Sequence, residues 1–364
     1  MALHDRPLDT PIPSDVDKSS RIRTDDAAVV SQIDGLLKQF GANAGDAHTR
    51  YVRDIVQTAL KLAAQPGDLG ELKVMANSLK ELRYGFSVFG RYRQPHKITI
   101  FGSARTPEDH PDFTACVEFS KLMADAGWMA ITGAGMGIMK AGNVGPGREA
   151  SFGVSIRLPF ETNANQVIEG DEKLINFRYF FTRKLMFVSQ CEAVALFPGG
   201  FGTMDEAFET LTLVQTGKAQ PMPIVLVEGA GGDYWKGFDH FLQEHLLRRG
   251  WISSEDPSLY YIAKTPQDAA NHVLHFYRNY HSSRYVREQL VLRLHRPLKQ
   301  EDVQMLEKEF AVLIKDGGLR QCGPLEGEED NLHLPRLAFH HTKHKFGKIR
   351  MLIDRINSLT PVGG

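Results

Sequence analysis

Glu192-Ala193-Val194-Ala195-Leu196-Phe197, running on into Pro198-Gly199-Gly200-Phe201-Gly202-Thr203-Met204-Asp205-Glu206, reads as an apolar strand that breaks into glycines and restarts as a helix. A strand-to-helix turn of this kind cradles an anion. Glycines let backbone N–H groups approach closely, Thr203 can donate a hydroxyl, and the helix turns its positive dipole end to the same spot. Glu206 then falls one turn into the helix, where a carboxylate beside an anion is electrostatically unfavourable unless it has a task. Two tasks fit. Thr203-x-x-Glu206 has the form of a capping box, in which the carboxylate satisfies the Thr203 backbone. Alternatively, the carboxylate does chemistry on whatever the cradle holds.

The rest of the chain favours the second task. Phe101-Gly102-Ser103-Ala104-Arg105 follows an expected strand at Lys97–Phe101, and Thr132-Gly133-Ala134-Gly135-Met136-Gly137-Ile138-Met139 follows one at Trp128–Thr132. Further strands are expected at Phe152–Ile156, Ala193–Phe197, Ile224–Val227 and Leu259–Ile262. Helices are expected near Phe113–Ala126, Ile138–Ala150, Phe180–Ser189, Thr203–Thr216, Tyr234–Arg249 and Pro266–Tyr280. Short apolar runs alternating with helices indicate an α/β, Rossmann-like, doubly wound parallel sheet. In such a sheet the glycine turns lie at the carboxyl edge, where ligands bind at the switch point of strand order.

Around this domain, taken as residues 96–282, the chain divides by composition. Residues 1–24 are rich in Pro, Ser and charge and read as a mobile tail. Residues 25–95 form a helical extension, with apolar spacing over Ala27–Phe40, Ala47–Ala64 and Leu69–Phe89 and stops at Gly41 and Pro66-Gly67. Residues 283–364 read as β-α-β-β-α, a small α+β module, over Leu290–Leu294, Lys299–Lys315, Gly318–Gly323, His333–His340 and His344–Asn357.

In these motifs the sequence resembles the Lonely Guy (LOG) phosphoribohydrolases, long mislabelled as lysine decarboxylases, and the related bacterial nucleotide 5′-monophosphate nucleosidases. The family's P-G-G-x-G-T-x-x-E motif matches Pro198 to Glu206 at every fixed position. Its Arg-Lys pair matches Arg183-Lys184, at the expected interval ahead of Glu206. The similarity spans roughly Lys97 to Ala263. One departure is that many relatives carry three glycines where this chain has Gly133-Ala134-Gly135, which would alter how closely a phosphate or ribose approaches.

The resemblance implies hydrolysis of the N-glycosidic bond of a nucleoside 5′-monophosphate, cytokinin riboside monophosphates included, with no cofactor and no metal. It assigns Arg183 and Glu206 to catalysis, and Ser103, Gly133, Gly135, Gly137, Gly199, Gly200, Gly202 and Thr203 to the phosphate and ribose. Glu206 must be ionised to offset positive charge at C1′ and activate water; the helix N-terminus and Arg183 favour that form, whereas phosphate and burial oppose it. Outside the family context, Arg183 reads as a surface arginine on a helix whose Phe180, Phe181 and Phe187 fill the core. Lys184 is left out of the catalytic pair as a solvated or phosphate-facing charge. Asn163, Asn165 and Gln166, after Leu158-Pro159, lie in a loop placed to reach the base. Similar proteins are dimers or larger, so a homo-oligomer is expected. The competing class is a non-catalytic nucleotide- or molybdenum-cofactor-binding protein on the same scaffold, for which a carboxylate beside the phosphate has little use.

Composition narrows the field. At 364 residues, 42% hydrophobic and 24% charged, the chain can bury a full core, and its formal charge of −1 gives no reason to expect nucleic-acid or anionic-membrane partners. No apolar run reaches a membrane span and the opening lacks a signal-peptide core, so a cytoplasmic location is expected. Cys116, Cys191 and Cys322 are too scattered for a disulfide framework. Gly133-x-Gly135-x-Gly137 has Ile138 where a dinucleotide fingerprint needs its third glycine and follows the second strand, against a dehydrogenase; a P-loop motif is absent. His340 and His344 would share a face only if their segment were helical, and it reads as a strand entering a turn. The basic residues from Lys343 to Arg350 read as a solvated helix face.

Overall fold

The computed structural model describes residues 24–43, 45–64, 67–157 and 164–362. The tail reading, apart from Thr24, and the readings of Leu158, Pro159 and Asn163 fall outside the described residues. The chain forms two compact units, one ending at Glu81 and the other beginning at Leu82. In the first, α1 (Ala27–Gln39) and α2 (Ala47–Ala64) are joined by an ion pair from Arg53 to Asp34 (2.6 Å), and Gln57 donates to the Thr24 carbonyl (2.7 Å). The following helix, α3 (Leu69–Phe89), spans the division.

The second unit is built on seven parallel strands: β1 (Lys97–Phe101), β2 (Met129–Thr132), β3 (Ser151–Ile156), β4 (Leu174–Phe177), β5 (Ala193–Leu196), β6 (Ile224–Leu226) and β7 (Tyr260–Ile262). Their order is β4-β3-β2-β1-β5-β6-β7, so the direction of winding reverses between β1 and β5. Both faces are covered, which is why β1, β2, β5 and β6 are buried along their whole length, β5 and β6 being wholly apolar and β1 and β2 carrying only Lys97, Thr99 and Thr132 as polar residues. One face packs Phe152, Met186, Phe187 and Trp235, and the other Phe113, Phe119, Trp128 and Val273. The intervening helices are α4 (Pro111–Asp125), α5 (Ile138–Val144), α6 (Phe180–Ser189), α7 (Phe201–Gln215), α8 (Tyr234–Phe241, continuing as a wider π turn to Leu247) and α9 (Pro266–Phe276). This is the doubly wound, Rossmann-like α/β fold.

Three differences from the sequence reading have local causes. β4 was not anticipated, because it is a four-residue edge strand in which Ile175 and Phe177 point inward while Asn176 is exposed. α5 stops at Val144 rather than Ala150. There Gly145 abuts α4 so closely that a Cβ would stand 2.1 Å from Ser120 Oγ, and Gly147 has φ +71°. α9 ends at Phe276, and the residues expected to continue it to Tyr280 lead into another strand, β8 (Tyr280–Val286).

β8 opens the C-terminal part, which continues with β9 (Gln289–Leu294), α10 (Gln300–Glu309), β10 (Arg320–Cys322), β11 (Arg336–His340) and α11 (Phe346–Ser358). The strands form an antiparallel sheet of order β10-β11-β9-β8 over a core of Leu292, Leu306, Leu337 and Ile353. Buried Arg293 and Arg336 share Glu328, at 2.7 and 3.2 Å, so each charge in this core has a partner. His340 ends β11 and pairs with Asp316, and His344 lies in the turn beyond, so the two rings do not share a helix face.

Arg350 corrects the reading of a solvated basic face, being only 1% exposed on α11. Its Nη1 donates to the Met222 carbonyl (3.3 Å), Nη2 bonds to His272 Nε2 (2.8 Å), Nε bonds to Asp354, and the guanidinium lies over the Phe276 ring. Burial and the Arg350 charge push His272 down to about 4, so the ring is neutral and its Nε2 accepts. Arg350→Ala would remove these bonds and open a cavity between α11 and α9. It is expected to lower unfolding free energy by about 3 kcal/mol in a urea titration, and a loss below about 0.5 kcal/mol would show that the contact is dispensable.

Candidate active site

The turns after β2, β1 and β5 lie side by side at the carboxyl edge of the sheet, because those strands are neighbours. The Ser103 N–H donates to the Pro198 carbonyl (3.1 Å) and the Ile138 N–H to the Ser103 carbonyl (3.0 Å), tying the first turn to the other two. Glycine is needed at both contacts. A Cβ on Gly199 would stand 2.1 Å from Thr203 Oγ1 and 2.9 Å from Ser103 N, and one on Gly137 would stand 2.3 Å from the Ser103 carbonyl oxygen. The result is a cavity of about 760 Å³, within the usual range of roughly 300–1,000 Å³ for small-molecule sites.

Most of the residues singled out in the sequence come together in its wall: Ser103, Gly133, Arg183, Gly199, Gly200, Gly202, Thr203 and Glu206. Gly135 and Gly137 do not line it. Gly137 is the N-cap of α5 against Ser103, and the Gly135 carbonyl accepts a hydrogen bond from Asn165 (3.1 Å). Asn165 is thereby corrected as a base-reaching loop residue. It is 2% exposed, and its amide also bonds to the Ala134 carbonyl and to Asn143, so it braces the second turn. That brace has a load to carry, since Ala134 is held at φ +63°, a left-handed conformation that costs a non-glycine residue roughly 1–2 kcal/mol.

α7 begins at Phe201 with Gly200 as its N-cap, two residues earlier than the sequence suggested. The Thr203 N–H bonds to the Gly200 carbonyl (3.1 Å), so the capping box between Thr203 and Glu206 does not form. Glu206 is the sixth helical residue, beyond the turn in which the helix dipole acts strongly. It is 8% exposed, one oxygen lies 3.6 Å from Lys184 Nζ, and the other, buried oxygen has no hydrogen-bond partner among the described residues.

Lys184 is neither solvated nor turned to a phosphate. It bonds to Glu209 (2.6 Å) and Asp205 (2.9 Å) as well as reaching Glu206. Burial works against its charge, yet the bonds to Glu209 and Asp205 outweigh burial and raise its pKa. A Schiff-base lysine needs the opposite, a depressed pKa. Arg183 donates from Nε to the Val154 carbonyl (2.8 Å) and lies over the Phe187 ring. Of its helix's phenylalanines only Phe187 enters the core, whereas Phe180 and Phe181 are more than half exposed. Sequence reasoning did not place Arg105, Met139, Phe180 or Phe201 in the cavity wall; the signal that could have found Arg105, Met139 and Phe201 is that each stands in or beside one of the three glycine turns.

The electrostatics differ from the sequence expectation in one respect. Burial pushes Glu206 up to about 7; Lys184 and Arg183 pull it down, while Glu209 and Asp205 push it further up. Burial thus outweighs the cations, and the group is poised to take or give a proton near neutrality.

The fold and cavity define a doubly wound α/β protein with its candidate site at the topological switch point. Residues 136–273 match the model of a family described as "Possible lysine decarboxylase", a span that contains Arg183, Lys184 and Glu206 but not Ser103. No curated protein matches the chain. Among solved structures, it is similar to the molybdenum cofactor carrier protein of Chlamydomonas reinhardtii, at 18% identity over 50% of this chain and 97% of that one, with a TM-score of 0.36. It is also similar to the molybdenum cofactor binding protein of Rippkaea orientalis (19%, 50% and 96%, TM-score 0.35). A third is DNA processing protein A of Helicobacter pylori (12%, 52% and 83%, TM-score 0.36).

The raised carboxyl of Glu206 has a consequence for stability. Between the ordinary value near 4.5 and about 7 the unfolded chain releases a proton that the native protein keeps, so stability falls as pH rises through that window. Glu206→Gln removes this loss. The variant is expected to match the parent near pH 4 and to exceed it by about 3 kcal/mol above pH 7, read from urea titrations at both pH values; a pH-independent difference would mean the carboxyl is not shifted.

Proposed function

We propose that the protein hydrolyses the N-glycosidic bond of nucleoside 5′-monophosphates, releasing the free base and ribose 5-phosphate. The observation that carries this reading is Glu206, a buried carboxylate with one unpartnered oxygen, raised to about 7 and standing in the same wall as a glycine-lined anion cradle. The match of residues 136–273 supports it at the level of the family. In this mechanism the cradle of Ser103, Gly199, Gly200, Gly202 and Thr203 takes the 5′-phosphate, which fixes C1′ near Glu206. As the C1′–N bond breaks, its electron pair leaves with the base and positive charge grows on the ribosyl ring, where the carboxylate offsets it. Glu206 accepts a proton from the attacking water, the new C1′–O bond completes ribose 5-phosphate, and that proton passes from Glu206, through solvent, to the departed base, which restores the carboxylate. Lys184 acts on Glu206 by keeping it ionisable against burial, and Arg183 adds positive charge on the same side.

The test is base release from a panel of nucleoside monophosphates, a cytokinin riboside monophosphate among them. Glu206→Gln should reduce turnover by roughly 100- to 10,000-fold while nucleotide binding persists, and nucleosides lacking the phosphate should be poor substrates. Tight binding by the parent protein with no turnover across the panel would instead favour the binding-protein reading. Turnover should also rise with pH through about 7 as Glu206 ionises. Lys184→Met removes the attraction that favours the ionised form, so the rising limb should move to higher pH; a limb that stays in place or moves down would exclude Glu206 as the base.

A further inference from the structure

Arg105 stands on the turn after β1, exposed and in the wall of the same cavity. Its backbone N–H donates to Ser103 Oγ (3.0 Å), which fixes the turn that carries it. Its guanidinium forms no hydrogen bond or ion pair with any of the described residues. The neighbouring cations are placed differently. Lys184 is shared among three carboxylates, Lys140 is paired with Glu108, and Arg183 is anchored on the Val154 carbonyl and the Phe187 face.

The wall also carries Asp205 and Glu206, two carboxylates that oppose an incoming phosphate dianion. Backbone N–H groups and the Thr203 hydroxyl supply partial charges only. A planar guanidinium supplies a full charge and a fork that matches two phosphate oxygens. We propose that Arg105 is the clamp by which this cavity selects phosphomonoester dianions, closing on the phosphate from the first turn while the start of α7 holds it from the other side. The proposal rests on the reading of the cavity as a nucleotide site, and it assigns to Arg105 the discrimination between a nucleotide and its nucleoside.

Equilibrium binding tests it apart from turnover. Calorimetric titration with ribose 5-phosphate, a nucleoside 5′-monophosphate and the matching nucleoside would be run on the parent protein, Arg105→Ala and Arg105→Lys. The Kd for both phosphorylated ligands should rise about 10- to 100-fold in Arg105→Ala and less in Arg105→Lys, with nucleoside binding unchanged. In the hydrolysis assay the change should fall on KM with kcat little altered, as expected for a group that holds substrate and transition state alike. Phosphate-ligand Kd values within twofold of the parent, or an equal loss for the nucleoside, would overturn the clamp. If the parent binds these ligands without releasing base, the hydrolase reading fails while the Kd ratio still decides the role of Arg105. If the parent binds neither phosphorylated ligand, the clamp falls as well.

Discussion

The Ser103 N–H bonded to the Pro198 carbonyl sets the distance at which two loop turns from adjacent strands face each other. At that distance there is room for backbone only, because Gly199 touches both Ser103 and Thr203 and Gly137 touches Ser103 from the opposite side. The cavity is thus a product of main-chain contact at the reversal of winding. The second turn is more strained, with Ala134 in a left-handed conformation, and the Asn165 amide holds it there through two adjacent carbonyls. Side-chain hydrogen bonds from Asn165 thus lock the left-handed Ala134 and hold the second turn in one geometry without a ligand.

The charge arrangement follows from the packing of α6 on α7. Lys184 meets three carboxylates spaced along one face of α7, and the charge it shares with them limits what it can offer Glu206. Burial therefore prevails and the carboxyl titrates near neutrality. A more generous pairing would hold Glu206 ionised yet weaken it as a base. The unpartnered oxygen has the same meaning in geometric terms, as one lone-pair position is kept clear of protein donors.

Much of this was legible in the sequence because it depends on local pattern. Short apolar runs and glycine turns marked the strands that build the cavity, and the Pro198–Glu206 segment carried both the glycine turn and the carboxylate. What escaped has no local signature. β4 is an edge strand of four residues, β8 looks like the end of a helix, and the burial of Arg350 depends on α11 meeting α9 from far along the chain. The partners of Lys184 lie on another helix, and the displacement of Asn165 from the base to the backbone depends on how the second turn folds back. The start of α7 was misjudged by two residues for a simpler reason: Gly200 caps it through backbone alone, while Thr203 has the side chain a cap usually has.

The way β8 follows α9 limits how far the C-terminal part can be treated as an appendage. Three residues separate Phe276 from Tyr280, Tyr277 donates its hydroxyl to the Glu192 carbonyl just before β5, and Asn357 near the chain's end receives the N–H groups of both Asn279 and Tyr280. The two sheets therefore share a seam of aromatic rings and amides, with Phe276 packed in the distal core and Tyr277 against the central one. A gene cut at the apparent domain border would sever a strand and strip α9 of its cover.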